Sequence, residues 1–114
     1  MGVNRRFVDL HMHSTASDGT TPPEKLIEIA RAETALALSE GWISEEPREY
    51  IMALTDHDTL AGIPAFEKAA RLFENVRIIP GVEISSDYQG HEIHILGYNV
   101  DSENKELQSG LEYY

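Results

Sequence analysis

The chain contains no cysteine. Disulfides, thiolate nucleophiles and Cys-type zinc sites are therefore excluded within it, and any metal must be held by His, Asp and Glu. Basic residues are scarce: nine Lys and Arg stand against twenty Asp and Glu, for a formal net charge of −11. That balance repels polyanions and argues against non-specific DNA binding through a basic surface. It favours solubility and is equally compatible with cation binding, because divalent ions reverse the local sign of an acidic site. No apolar run approaches the roughly 18 residues of a membrane span. The start, Met1-Gly2-Val3-Asn4-Arg5-Arg6, leads into a strand rather than a signal-peptide core, so a cytoplasmic location is expected. Internal repeats, low-complexity tracts and linkers are also missing. A length of 114 residues is short of a large enzyme barrel of about 250 residues and suits one domain.

What is present is enough apolar sequence for a core, 41% against 25% charged, arranged as strand-like runs alternating with helical segments. The first strand is expected at 6–10. After a polar loop, Thr21-Pro22-Pro23-Glu24 has the pattern of an N-cap, a proline at the first helical position and a capping-box Glu. Leu26, Ile27, Ile29 and Ala30 would be the buried stripe of that helix, and Gly41 its stop. Residues 39–49 read as an excursion. A second strand is expected at 50–55, a helix from about 63 to 75, and a third strand at 76–79 leading into Pro80-Gly81-Val82-Glu83. A turn at Tyr88-Gln89-Gly90, a strand at 91–98 and a helix at 104–114 complete a βαβαββα order. The fold class is α/β, with helices on one side of a mostly parallel sheet.

His11-Met12-His13 is the first chemical signal, since residues two apart on extended chain point to the same side and can bring both imidazoles to one metal. Surface histidines in a turn are the plain alternative. Ser14-Thr15-Ala16-Ser17-Asp18-Gly19 reads by itself as a turn in which Asp18 bonds local backbone and Gly19 adopts positive φ. Thr55-Asp56-His57-Asp58-Thr59 follows the second strand as an ion pair, a helix cap or a ligand cluster. Glu83, just beyond the third strand, is either a site carboxylate or a solvent-facing charge. His91 and His94 are three apart, so extended chain sends them to opposite faces. His94, set in Ile93-His94-Ile95-Leu96, needs a partner to offset burial and is the candidate, while His91 beside the turn is the ordinary surface residue.

The ordered set His-x-His, Asp-Gly, Thr-Asp-His-Asp, Pro-Gly-x-Glu and His-Ile-Leu-Gly, over residues 7 to about 110, resembles the PHP (polymerase and histidinol phosphatase) domain family. The resemblance implies a distorted (βα)7 barrel, of which this chain would be the front part, and a site of two or three divalent ions, usually manganese, zinc or iron, at the strands' C-terminal ends. It implies His11 and His13 on a first metal, Asp18 and His57 at a neighbouring one, Glu83 as bridging carboxylate and His94 on the remaining ion. Asp56 would be an acceptor that orients an imidazole. Asp58 receives no role.

The expected activity is metal-dependent hydrolysis of phosphate esters of nucleotides or other small metabolites, with short oligonucleotides less favoured by the acidic composition. Alternatives are metal-dependent amidohydrolysis, since His-x-His after a first barrel strand also occurs in amidohydrolases, and a noncatalytic metal-binding or assembly module. The family's further strands supply another mid-chain ligand and a late Asp-x-His pair, neither of which follows here. The domain at 1–114 is therefore expected to be incomplete at its C-terminus, or to associate with a second copy to cover its open sheet.

Overall fold

The computed structural model describes residues 6–111. Four strands form one sheet in the order β1-β2-β3-β4, with β1 at Arg6–Met12, β2 at Glu49–Leu54, β3 at Val76–Tyr88 and β4 at His91–Tyr98. Helices α1 (Leu26–Ser39), α2 (Ile63–Ala70) and α3 (Lys105–Leu111) are interleaved in the expected order. The expected continuation of the last helix to Tyr114 lies outside the described residues. β1–β2 and β2–β3 pair in parallel and β3–β4 antiparallel. The sheet is curled: the Tyr98 hydroxyl on edge strand β4 donates to the Leu10 carbonyl on the opposite edge at 2.7 Å, whereas the edges of a flat four-stranded sheet would stand about 14 Å apart. Among the described residues no helix is long and apolar enough to cross a membrane.

Period-two burial builds the centre. Tyr50, Met52 and Leu54 of β2 are buried and meet Ile27 and Ala30 of α1 and Ile63, Phe66, Ala69 and Ala70 of α2. On α1 the buried positions are Ile27, Ala30 and Thr34, whose hydroxyl satisfies itself on the Ala30 carbonyl at 2.8 Å. Ile29, expected in that stripe, is 41% exposed instead. The expected capping box does not form. A 3₁₀ turn at Pro23–Lys25 precedes α1, and neither it nor the helix has a side-chain cap; two successive prolines favour the tight turn over a Thr-capped start. At the other end the helix stops as expected near Gly41, where Gly41 N–H and Trp42 N–H donate to the Leu38 and Ala37 carbonyls, the bonding of a Schellman motif. α2 ends at Ala70, short of the expected 75, with turn bonds from Leu72 to Ala69 and Phe73 to Ala70 replacing further helix.

Two departures in the strands shape the site. β1 runs on to Met12, and its register with β2 shifts between Asp9 and Met12, where three steps on β1 span two on β2 (Asp9↔Met52, Met12↔Leu54). That bulge takes the His11 N–H off the ladder, and the Asp9 side chain accepts it at 3.2 Å, a usual way for a strand end to re-aim a side chain. β3 does not end at Ile79 but continues through Pro80-Gly81 to Tyr88, exchanging its parallel partner β2 for its antiparallel partner β4 at that point. A Cβ on Gly81 would sit 2.9 Å from both the Gly97 carbonyl oxygen and Thr55 Cγ2, so the strands converge there only on glycine.

Candidate metal centre

The C-terminal ends of β1 and β2 and the middle of β3 meet at Glu83. The sequence pattern places this residue just beyond the third strand. In the structure it lies inside β3, opposite Leu96 of β4, because pairing with β4 prolongs the strand. Its backbone also joins the chain leaving β2: Glu83 N–H donates to the Asp56 carbonyl and Asp58 N–H to the Glu83 carbonyl, both at 3.0 Å, making an isolated bridge with His57. The Glu83 side chain is buried.

Both carboxylate oxygens of Glu83 face imidazoles. Oε1 is 2.5 Å from His11 Nε2 and 3.2 Å from His13 Nε2. Oε2 is 2.5 Å from His94 Nδ1 and 3.2 Å from His57 Nδ1. Asp18 closes the group at the rim, with Oδ1 2.9 Å from His13 Nδ1 and Oδ2 3.2 Å from His57 Nε2. Three overlapping triads result, His11/His13/Glu83, His13/Asp18/His57 and His57/Glu83/His94, each with ligand-type atoms within 4.8 Å of one another. The period-two reasoning for His11 and His13 holds across the bulge, since both rings reach the same oxygen.

The proton count of this group asks for positive charge. A neutral imidazole carries one N–H, yet His13, His57 and His94 each have carboxylate oxygens within 3.2 Å of both ring nitrogens. A neutral ring so placed turns a lone pair toward an anion. Burial pushes the Glu83 carboxyl up, but bonds to His94, His13 and His11 and the charge of His57 outweigh it and hold its pKa at about 2. His94 is pushed up, chiefly by its bond to Glu83 and then by Glu92, whose Oε1 lies 3.0 Å from His94 Nε2. Divalent cations between the donors relieve the conflict. A borderline N/O donor set of this kind suits zinc, manganese or iron, so the residues present fit the implied metals.

The structure thus brings together His11, His13, Asp18, His57, Glu83 and His94. His91 is exposed at the start of β4 and belongs to none of the three groups. Asp56 does not orient an imidazole. It is buried, with Oδ1 accepting from Ser14 N–H at 2.6 Å and Ser17 Oγ at 2.8 Å, and Oδ2 from Ser14 Oγ at 2.7 Å. His57 takes the outward direction from this strand end, which leaves Asp56 turned beneath the β1–α1 loop. Asp58 adopts φ 51° and accepts from Ser85 N–H at 2.8 Å, tying the loop to β3. Gly19 does not have positive φ among the described residues. Its hydrogen stands where a Cβ would run into the His13 carbonyl, so it serves close approach. Sequence reasoning missed Ser14, Ser17 and Glu92. Only the alternation Glu92-x-His94 hinted at a same-face partner.

No protein-family model matches the chain. It is 45% identical over 94 residues to the 5'-3' exoribonuclease Rnm of Salmonella typhimurium, covering 82% of this chain and 27% of that protein. It is 33% identical over 104 residues to the 3',5'-nucleoside bisphosphate phosphatase of Chromobacterium violaceum, covering 91% and 31%. Among solved structures it matches an amidohydrolase from Chromobacterium violaceum, with bound sulfate and no metal, at TM-score 0.72 and 32% identity over 93% of this chain and 32% of that one. A candidate metal-dependent phosphoesterase from Bifidobacterium adolescentis matches at TM-score 0.70 and 26% identity, over 96% and 32%. The chain therefore spans about a third or less of the length of these proteins. Over that span it is a mixed α/β half-barrel similar to hydrolases that act on phosphate esters, with His and carboxylate groups suited to divalent metal at its strand ends.

Proposed function

We propose that this chain is the front part of a PHP-type, metal-dependent phosphoesterase that hydrolyses phosphate esters of nucleotides, including the ends of short oligonucleotides. The observation that carries this reading is the single buried glutamate whose two oxygens face four imidazoles. His11, His13, His57, Glu83 and His94 would hold the ions, with Glu83 shared between the His11/His13 and His57/His94 groups. Asp18 lies between His13 and His57 and would serve an ion nearest the rim. Divalent ions held there would supply charge neutralisation at phosphoryl oxygens and would acidify water near neutral pH. No Lys or Arg pairs with any of these side chains among the described residues, so the protein's own groups here hold cations rather than the phosphate itself. The relatives named as an exoribonuclease and a nucleoside bisphosphate phosphatase support nucleotide esters and widen the expectation to oligonucleotide ends. Exposed Val8 and Leu10 on β1 and Ile93 and Ile95 on β4 belong to the same reading, as surface that further barrel strands or a second copy would cover.

The decisive experiment is metal analysis of protein purified without chelator, followed by phosphate release from nucleoside mono- and bisphosphates. Bound Mn, Zn or Fe with metal-dependent release supports the proposal. Absence of bound metal, with no uptake on addition, would sink it. The solved neighbour named as an amidohydrolase favours one second reading, carbon–nitrogen hydrolysis. Ammonia or amine release without phosphate release would select it.

A further inference from the structure

The Asp56 carboxylate sits outside the ligand cluster yet connects the segments that carry it. Its Oδ1 takes the Ser14 N–H and the Ser17 hydroxyl, and its Oδ2 the Ser14 hydroxyl. Ser14 follows His13 in sequence, and Ser17 precedes Asp18. The backbone of Asp56 leads into His57, and its carbonyl accepts the Glu83 N–H at 3.0 Å. One residue therefore borders or bonds the backbone on which four of the candidate ligands are mounted. Asp56 and Ser14 are buried, at 1% and 0% exposure, so these bonds face no competition from bulk water.

Within the loop, Ser14 is a second knot. Its carbonyl accepts from Ser17 N–H at 3.1 Å and Gly19 N–H at 2.9 Å, and its hydroxyl accepts from Ala16 N–H at 3.1 Å. Asp18 itself is exposed at its side chain, at 63%, and no packing holds it. What fixes its approach to His13 and His57 is the backbone between Ser14 and Gly19, and that backbone is anchored on Asp56.

We propose that Asp56, through Ser14 and Ser17, is a positioning residue for Asp18, and so for the ion nearest the rim that Asp18 would serve beside His13 and His57. The proposal rests on the metal-centre reading above. Ser17 is the specific handle, because it adds one half-buried tether to the loop and nothing to the core. Losing an outer partner of this kind lowers metal affinity about 10–100-fold.

The test is titration of the metal-free chain with Mn²⁺ by calorimetry, with metal-free thermal midpoints as the folding control. Ser17→Ala should weaken Mn²⁺ binding about tenfold or more with the midpoint held within a few degrees, and Ser17→Thr, which keeps the hydroxyl, should restore it. In an Asp18→Asn background the same Ser17→Ala change should alter binding less than twofold, because the tether acts through Asp18. Asp56→Asn gives up the charge and one of the two acceptor oxygens and should weaken Mn²⁺ binding at least as much as Ser17→Ala. Wild-type affinity in Ser17→Ala, an equal loss with and without Asp18, or wild-type affinity in Asp56→Asn would overturn the positioning role. If the wild-type chain takes up no Mn²⁺, Zn²⁺ or Fe²⁺, the metal-centre reading falls first and this one with it.

Discussion

Glu83 and His94 are diagonal neighbours across the antiparallel β3–β4 pair: Glu83 lies opposite Leu96, His94 opposite Ser85, and the two side chains meet with Nδ1 2.5 Å from Oε2. Diagonal pairs on one face of a sheet are within reach of long side chains. The hairpin alone therefore sets this contact, and the parallel strands bring the other rings to it.

That pairing separates two histidines of the same strand. His94→Ala should lower divalent metal affinity by about 10–100-fold, whereas His91→Ala should leave it unchanged. Equilibrium dialysis with Mn²⁺ on both variants checks this, and equal losses would show that strand parity does not select the ligand.

Glu83→Gln removes the carboxylate common to two triads while keeping its shape. Uptake of divalent metal should fall at least about a hundredfold, and the metal-free protein should lose about 1–3 kcal/mol for the buried, charge-assisted bonds it gives up. Elemental analysis and urea unfolding report the two effects separately. A variant that retains full metal content would remove Glu83 from the centre.

Metal-free stability should depend on pH with opposite signs on its two sides. Glu83 is held at about 2 against an ordinary value of 4.5, so its contribution is complete above 4.5 and is lost as pH falls toward 2. His94 is raised above 6.5, so its contribution is complete below 6.5 and is lost as pH rises through its folded value. Thermal midpoints of chelator-treated protein should be highest between these limits, and Glu83→Gln should flatten both slopes.

Gly81→Ala tests the crossing of three strands. Its methyl would meet the Gly97 carbonyl oxygen and Thr55 Cγ2, each at 2.9 Å, and relief requires moving β4 or the end of β2. A loss of about 1–3 kcal/mol is expected, together with weaker metal binding. Unaltered stability in chemical denaturation would mean that the strands have room to separate.

Adding saturating metal should raise the midpoint and chelation should lower it. At a free concentration a hundredfold above the dissociation constant the gain is about 2.7 kcal/mol. Differential scanning fluorimetry with and without EDTA measures it, and a midpoint indifferent to both would contradict a site coupled to the native fold.

The alternation of strand and helix, the ends of β4, the stop at Gly41 and the pairing of His11 with His13 were legible in the sequence, whereas Asp18, His57 and Glu83 were expected at one centre only through the family resemblance. The legible features depend on local chemistry: period-two burial in Tyr50, Met52 and Leu54, a glycine after an apolar helical run, and His-x-His on extended chain. Other features needed the folded chain. Pro80-Gly81 reads as the end of a strand, and only the ladder offered by β4 carries β3 past it to put Glu83 inside the sheet. The bulge at His11 exists only relative to the register of β2. Asp56 looked like a partner for histidine because both belong to one motif. Its actual partners, Ser14 and Ser17, lie 42 and 39 residues away, and that choice arises from packing the β1–α1 loop over the end of β2. A short segment determines which way its own side chains alternate; which distant donor satisfies a buried carboxylate is decided when the strands close, since an unsatisfied one costs too much to remain.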